Sequence, residues 1–404
     1  MYIRIVVFRI CQEGGCGACL MAGNVACLRG WHPALAKAEL ESLFPKNQVI
    51  TLESPRLVAL DGELDLEQAA INVNSSGGIQ AILTDCIIMD WDHKDETKKQ
   101  FIQNIRNLIE KSTIHGTIGV FSWRQEGRIN GLSGSEIASA IGGIATELGY
   151  SINLEEPDHK LGIMLDGYSN KVICGWMLDA NMDSSGLSKR RATERPFFKP
   201  ISLDPKLARL AVNLAGGPMD ERIILDPMTG TGGFAIEAAT MGRNIIAIDM
   251  EEEMVEGTMK NIEWALETPK STIEVIKGDA TKLSQHIPKQ WYGKISGVVL
   301  DPPYGRNSHG TISHFELLES TLSSVCEVCS KDANLVLILP IKAIKIDNYN
   351  QLKDDSLIEL LHGDWGDFTV MIENSGWKIK GLWSEHVHSS LSRLILHATI
   401  VPRG

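Results

Sequence analysis

No apolar run in the 404 residues approaches the length of a membrane-spanning helix; Leu335 to Leu339, the cleanest, is strand-length. An export signal is missing as well, because Arg4 and Arg9 bracket only four apolar residues at the start. Positive charge is not in excess either. Against 39 Lys and Arg stand 51 Asp and Glu, a formal charge of −12, which excludes a protein that coats nucleic acid indiscriminately. A local basic patch stays open, since phosphates feel charge over only about 8–10 Å. Eight cysteines without an export signal read as reduced thiols, not as a disulfide framework. Tandem repeats and low-complexity tracts are absent. What is present is 43% hydrophobic and 22% charged residues, a globular composition over a length suited to two or three domains. The expectation is a soluble cytoplasmic protein with no membrane partner.

The first 180 residues read as small α+β units. His32-Pro33 followed by 34–44 suits a helix, with Ala34, Leu35, Ala38, Leu40 and Leu43 at helical spacing. Segments 48–52, 57–60 and 78–89 suit short strands and a connecting helix. Residues 95–111 carry Phe101, Ile102, Ile105, Leu108 and Ile109 on one helical face. Residues 117–123 are β-branched and aromatic, hence a strand. Ser133 or Ser135 caps a helix ended by Gly149, and 161–165 pairs with 172–176 as a hairpin. Residues 181–200 turn polar, then basic: Lys189, Arg190, Arg191, Arg195 and Lys199 face a single Glu194, a linker with a basic face. From Ser202 onward, strands near 222–225, 244–248, 273–277, 297–300 and 334–339 alternate with helices, the signature of a parallel α/β sheet.

The chemistry gathers at the ends of those strands. Ile223-Ile224-Leu225 lead into Asp226-Pro227-Met228-Thr229-Gly230-Thr231-Gly232-Gly233-Phe234, a buried strand ending in a carboxylate and a glycine turn that lets backbone approach a ligand. The next strand ends in Asp249, placed to accept from ribose hydroxyls. Ala235 stands where a dinucleotide fingerprint has its third glycine, and no Gly-Lys-Ser/Thr follows, so a phosphate-gripping loop is not indicated. Asp279, before Ala280, offers an acceptor for an adenine amino group. A fourth strand end, Asp301-Pro302-Pro303-Tyr304, decides the reaction class. Its prolines stiffen the turn, an arrangement that suits an exocyclic amine on a flat base: the Asp301 carboxylate and Pro302 carbonyl would accept its two hydrogens while Tyr304 would stack on the ring.

In this order, 226–234 and 301–304 resemble the cofactor and amino-group motifs of class I S-adenosylmethionine-dependent amino-methyltransferases. Arg195-Pro196-Phe197-Phe198-Lys199-Pro200, running into 202–214, resembles the segment ahead of that domain in the archaeal tRNA (guanosine-10 N2) methyltransferases. Those enzymes carry a ferredoxin-like unit and a THUMP domain, an RNA-binding module, and the resemblance covers about residues 23–404. It implies an extension over 1–22, a ferredoxin-like unit over 23–77 and a THUMP module over 78–180. A basic linker over 181–200 and a seven-strand Rossmann-like α/β methyltransferase domain over 201–404 follow, closed by a hairpin of 378–388 and 393–401. S-adenosylmethionine would be held by Asp226, Thr229, Gly230, Thr231, Gly232, Asp249, Asp279 and Ala280, with Asp301, Pro302 and Tyr304 catalytic. Lys189, Arg190, Arg191, Arg195, Phe197 and Lys199 would touch tRNA. The implied reaction is methyl transfer to the N2 of a tRNA guanosine at position 10, once or twice, by a monomer.

Other chemistry is weakly indicated. Cys11, Cys16, Cys19 and then Cys27 resemble plant-type [2Fe–2S] spacing, but only seven residues separate Cys19 from Cys27 and ten precede Cys11. Cys326 and Cys329 lack a second pair for zinc, and His386 and His388 show no ligand spacing, so no metal is expected. Two further readings stay open. One is methylation of a DNA adenine or a ribosomal RNA guanine, against which the THUMP-like region favours structured RNA, with no DNA partner. The other is a non-catalytic RNA-binding protein, against which stand the intact Asp226, Gly230, Gly232, Asp249 and Asp301.

Overall fold

The computed structural model describes residues 9–10, 19–92, 95–178, 185–199, 202–266, 268–303, 314–344, 348–353 and 356–401. The chain forms two compact units, one of residues 1–30, 46–74 and 79–182, the other of 31–45, 75–78 and 183–404. The first half runs β1 (Arg9–Ile10), β2 (Cys19–Leu28), α1 (Pro33–Leu43), β3 (Gln48–Thr51), β4 (Leu57–Asp61), α2 (Leu66–Ser75) and β5 (Ile79–Asp90). It continues with α3 (Asp95–Lys111), β6 (Thr117–Gln125), α4 (Gly134–Glu147), β7 (Ser151–Ile152), β8 (His159–Asp166) and β9 (Lys171–Leu178). No helix among the described residues is long and apolar enough to cross a membrane.

The nine strands among the described residues of the first unit form one sheet in the order β3-β4-β2-β5-β9-β8-β6-β7, with β1 on β2. The segments expected as separate units over 23–77 and 78–180 therefore share a sheet, and the division at 77/78 is corrected. The reason is β5, a strand of 12 residues, apolar and buried along most of its length, which pairs with β2 on one edge and β9 on the other. Ser133 caps α4 by accepting from the Glu136 N–H, as its position before the helix suggested.

The second unit adds α5 (Ser185–Lys189), α6 (Pro205–Gly216), β10 (Ile223–Asp226), α7 (Gly233–Met241), β11 (Asn244–Asp249), α8 (Glu252–Ala265) and β12 (Ile273–Lys277). It closes with α9 (Leu283–His286), β13 (Ile295–Leu300), α10 (His314–Val328), β14 (Cys329–Lys342), α11 (Trp365–Asn374), β15 (Trp377–His388) and β16 (Leu391–Ile400). Its seven strands lie in the order β12-β11-β10-β13-β14-β16-β15, parallel except for β16, which runs antiparallel to both its neighbours. Both faces are covered: Ile223, Leu225, Val298 and Leu300 enter one core, Ile224 and Val299 the other. Such two-faced burial is why these strands read as continuous apolar runs.

The α1 helix belongs to this second unit. His32 caps it through Nδ1, Pro33 opens it, and Leu35 and Ala38 join the core of Leu207, Leu210, Ala211 and Leu214 on α6. The fully buried Leu35 contributes about 1.5–3 kcal/mol. Beside it, the buried Glu39 carboxylate accepts from Ser76 Oγ (2.7 Å), the Gly77 and Gly78 N–H groups (2.8 and 2.7 Å) and Asn213 Nδ2 (2.7 Å). Four donors satisfy a charge that would otherwise be costly to bury. Gly78 is required there, because a Cβ would lie 2.5 Å from that of Ala36.

Candidate active site

The β10 strand delivers Asp226 to the sheet's carboxyl edge fully buried, and neither carboxylate oxygen finds a hydrogen-bond partner of ordinary geometry among the described residues. Burial pushes its carboxyl up to about 8; the Thr229 hydroxyl and Met228 amide pull weakly against this, and the Asp249 and Asp301 carboxylates add to it. Three strand ends therefore converge electrostatically. The turn after Asp226 closes with Gly232 N–H donating to the Thr229 carbonyl (2.8 Å). Gly230 and Gly232 both have positive φ, 53° and 80°, and a Cβ on Gly232 would lie 2.9 Å from the Thr258 side chain. Both glycines are thus obligatory, one for conformation, the other for conformation and space.

Asp249 ends β11 and holds that turn from its neighbour. Its Oδ2 accepts from Gly230 N–H (2.9 Å) and its Oδ1 from Glu251 N–H (3.0 Å). Burial raises its carboxyl in spite of these two bonds. Asp279 caps a short helical turn beginning at the buried Ala280; it accepts from Thr281 N and Oγ1 (2.9 and 2.7 Å) and lies 3.4 Å from Lys282 Nζ. Burial raises its carboxyl, but the Thr281 bonds and the Lys282 charge outweigh that and hold it below the usual range. Asp301 follows β13, half-buried; burial pushes it up to about 6 against the pull of Arg393. Arg393 in turn pairs with Glu385 at 3.1 Å. A positive charge brought near the raised carboxyls of Asp226, Asp249 and Asp301 would favour their ionised forms.

Next to Asp301, Pro302 and Pro303 border a small apolar cavity of about 50 Å³, walled by Phe315, Leu318, Leu339 and Pro340. Tyr304, expected to stack on the base, lies outside the described residues, as do Cys11 and Cys16. Cys326 lies in the last turn of α10 and Cys329 opens β14; Cys326 Sγ donates to the Ser375 carbonyl.

The basic segment is divided in two by the structure. Arg190 grips the fully buried Glu237 through two bonds, Nε–Oε1 2.7 Å and Nη2–Oε2 2.9 Å, and Arg209 Nε takes the same Oε2 at 2.9 Å. Arg195 is 5% exposed, with Nε donating to the Arg190 carbonyl and both Nη atoms buried without partners among the described residues. The half-buried Arg190 is committed to Glu237 and Arg195 is buried, so the sequence reading is corrected there: neither is free to meet an RNA phosphate. Lys199 pairs with Glu253 at 2.8 Å and sits 5.4 Å from the Phe197 ring centroid. Lys189 and Arg191 are exposed. Residues 190–199 therefore act as a strap docked on α7 and α8, not as a linker. Sequence reasoning missed Glu237, Thr258 and Asn261; the only signal was a glutamate within an apolar stretch of α7.

Strand order, the glycine turn after β10 and the acid after β11 define a Rossmann-like methyltransferase domain of the class that uses S-adenosylmethionine. Residues 192–345 match the family model described as UPF0020, the RMKL-like methyltransferase domain. The tRNA (guanine(10)-N2)-dimethyltransferase of Pyrococcus abyssi is 31% identical over 303 residues, covering 73% of this chain and 78% of that one. Its counterpart in Methanocaldococcus jannaschii is 28% identical over 334 residues, covering 79% and 92%. A tRNA (guanine(6)-N2)-methyltransferase from the same organism is 28% identical over 224 residues, 46% of this chain and 55% of that one. The chain belongs to the tRNA guanine-N2 methyltransferase family.

Proposed function

We propose that this protein transfers a methyl group from S-adenosylmethionine to the N2 amino group of guanosine 10 in tRNA, in one or two rounds. The observation that carries this is Asp301, a half-buried carboxylate raised to about 6, followed by the Pro302 carbonyl and electrostatically coupled to Asp226 beside the glycine turn. The residues present fit the cofactor: the orphaned oxygens of Asp226 suit the ammonium of its amino-acid end, and Asp249 and Asp279 retain lone pairs for hydroxyl and amino donors. S-adenosylmethionine supplies an electrophilic methyl group on a sulfonium.

The chain's own part is orientation and proton handling. The N2 lone pair of guanine is delocalised into the ring, so the amine is a poor nucleophile. Asp301 and the Pro302 carbonyl would accept its two hydrogens, holding the nitrogen in line and drawing it towards tetrahedral geometry. When the nitrogen takes the methyl, one of those protons passes to Asp301. Residues 23–30, 46–74 and 79–178, whose strands share one sheet, are assigned to the RNA-binding part with its ferredoxin-like and THUMP elements, and Lys189 and Arg191 to tRNA phosphates. Position 10 is preferred to position 6 because the Pyrococcus abyssi relative named for position 10 aligns over the larger share of this chain. Nucleoside mass spectrometry of unmodified tRNA incubated with enzyme and S-adenosylmethionine tests the reading. N2-methylguanosine or its dimethyl form mapped to position 10 is expected; tRNA left without either would refute it.

A further inference from the structure

The α8 helix meets the strap through Gly257 and Asn261, and the back of the glycine turn through Thr258 and Asn261. Gly257 seats the Phe197 ring, and a Cβ there would come within 2.1 Å of it. Thr258 Oγ1 donates to the Gly230 carbonyl at 3.0 Å. Asn261, fully buried, accepts from Phe197 N–H at 2.9 Å, while its Nδ2 donates to the Phe197 and Thr231 carbonyls, both at 2.9 Å. One amide group thus ties the strap to the turn.

Each of these bonds fixes a peptide plane. With Gly230 N–H held by Asp249 and Gly232 N–H held by Thr229, the turn's backbone is set before any ligand arrives. A glycine turn has many other conformations available, and a ligand that had to select one would lose affinity in proportion.

We propose that Asn261 and Thr258 are positioning residues for the cofactor, acting through the backbone of Gly230 and Thr231 without touching the ligand. Asn261 also makes the strap at Phe197 part of the cofactor site. This rests on the reading that the turn binds S-adenosylmethionine. The chemistry separates positioning from space-filling. Asn261→Asp keeps the shape and the acceptor for Phe197 N–H, but sets a carboxylate oxygen against two carbonyl oxygens. A group that only fills space would tolerate Asp better than Ala; a donor that holds two carbonyls would tolerate Asp worse.

The test is calorimetric affinity of the full-length protein for S-adenosylhomocysteine, together with steady-state kinetics. Asn261→Ala should bind about tenfold more weakly and Asn261→Asp about a hundredfold more weakly, with unchanged stoichiometry. The KM for S-adenosylmethionine should rise while the KM for tRNA stays put. Asn261→Asp binding as tightly as wild type, or more tightly than Asn261→Ala, would overturn the proposal. If the Asn261 variants do not fold, Thr258→Val decides: three- to tenfold weaker binding (about 1 kcal/mol) is expected, and wild-type affinity would overturn it. Wild-type protein that binds no S-adenosylhomocysteine would remove the cofactor reading itself, and this inference with it.

Discussion

Replacing Glu237 by Gln should destabilise the second unit more than any exposed charge change in the strap. The carboxylate is fully buried and takes three charge-assisted bonds of 2.7, 2.9 and 2.9 Å from Arg190 and Arg209, so the substitution leaves two guanidinium groups facing a neutral amide. Breaking one side of a buried ion network costs about 3–5 kcal/mol, because the remaining charges stay desolvated. For a unit of this size each kcal/mol moves the melting temperature by roughly 2–4 °C, so a fall of about 6–20 °C is expected. The exposed Lys199–Glu253 pair is the internal control; Lys199→Met should shift melting hardly at all, since surface pairs contribute about 0–1 kcal/mol. Differential scanning calorimetry of the two variants at pH 7 is the measurement. Equal shifts for both would show that the Glu237 network adds no more than a surface contact.

Cofactor binding should release a proton near pH 7, because Asp226, raised to about 8 by burial, is protonated alone but ionised opposite an ammonium. Calorimetry of S-adenosylhomocysteine binding in buffers of different ionisation enthalpy should show it, and Asp226→Asn should abolish the buffer dependence. The same raised value means the unliganded fold loses stability as pH climbs from about 4 towards 8, since the folded state holds a proton that the unfolded state gives up; a flat stability profile would contradict it. Asp301→Ala should lower single-turnover methyl transfer about 10²–10⁴-fold with cofactor affinity intact. The wild-type rate should rise with pH through about 6 as Asp301 ionises, and an unchanged acid limb in Asp301→Asn would exclude this group. Changing Lys189 and Arg191 together to Ala should reduce the salt slope of tRNA binding by about 1.5–2, and an unaltered slope would remove both from the interface.

The sheet was legible because its strands are buried on both faces and carry their signal in uninterrupted Ile, Leu and Val, and because each acid falls where a strand stops. Asp226, Asp249 and Asp301 could be placed at one edge on that ground alone. The strap could not be read the same way. Arg190 and Arg191 are neighbours of identical type, yet one is locked on a carboxylate 47 residues away and the other faces solvent. Charge counting along a chain cannot separate them, since the difference lies in Glu237, which is distant in sequence and marked only by its apolar neighbours on α7. The division at 77/78 failed for a related reason: strand pairing between β2 and β5 joins segments that local composition divides.

The placement of α1 in the second unit has a consequence for how the chain is made. Glu39 and Asn213, whose side chains meet in the finished unit, lie 174 residues apart. At synthesis rates of about 5–20 residues per second, α1 leaves the ribosome roughly 10–35 s before its partner helix exists. Over that interval the apolar face bearing Leu35 and Ala38 has no α6 to cover it, and the Glu39 carboxylate lacks one of its four donors. The catalytic half therefore cannot be completed from its own end of the message. Its assembly depends on a helix made first and held in waiting, so a gene fragment starting at residue 201 would encode the sheet but not the element that closes one of its two cores.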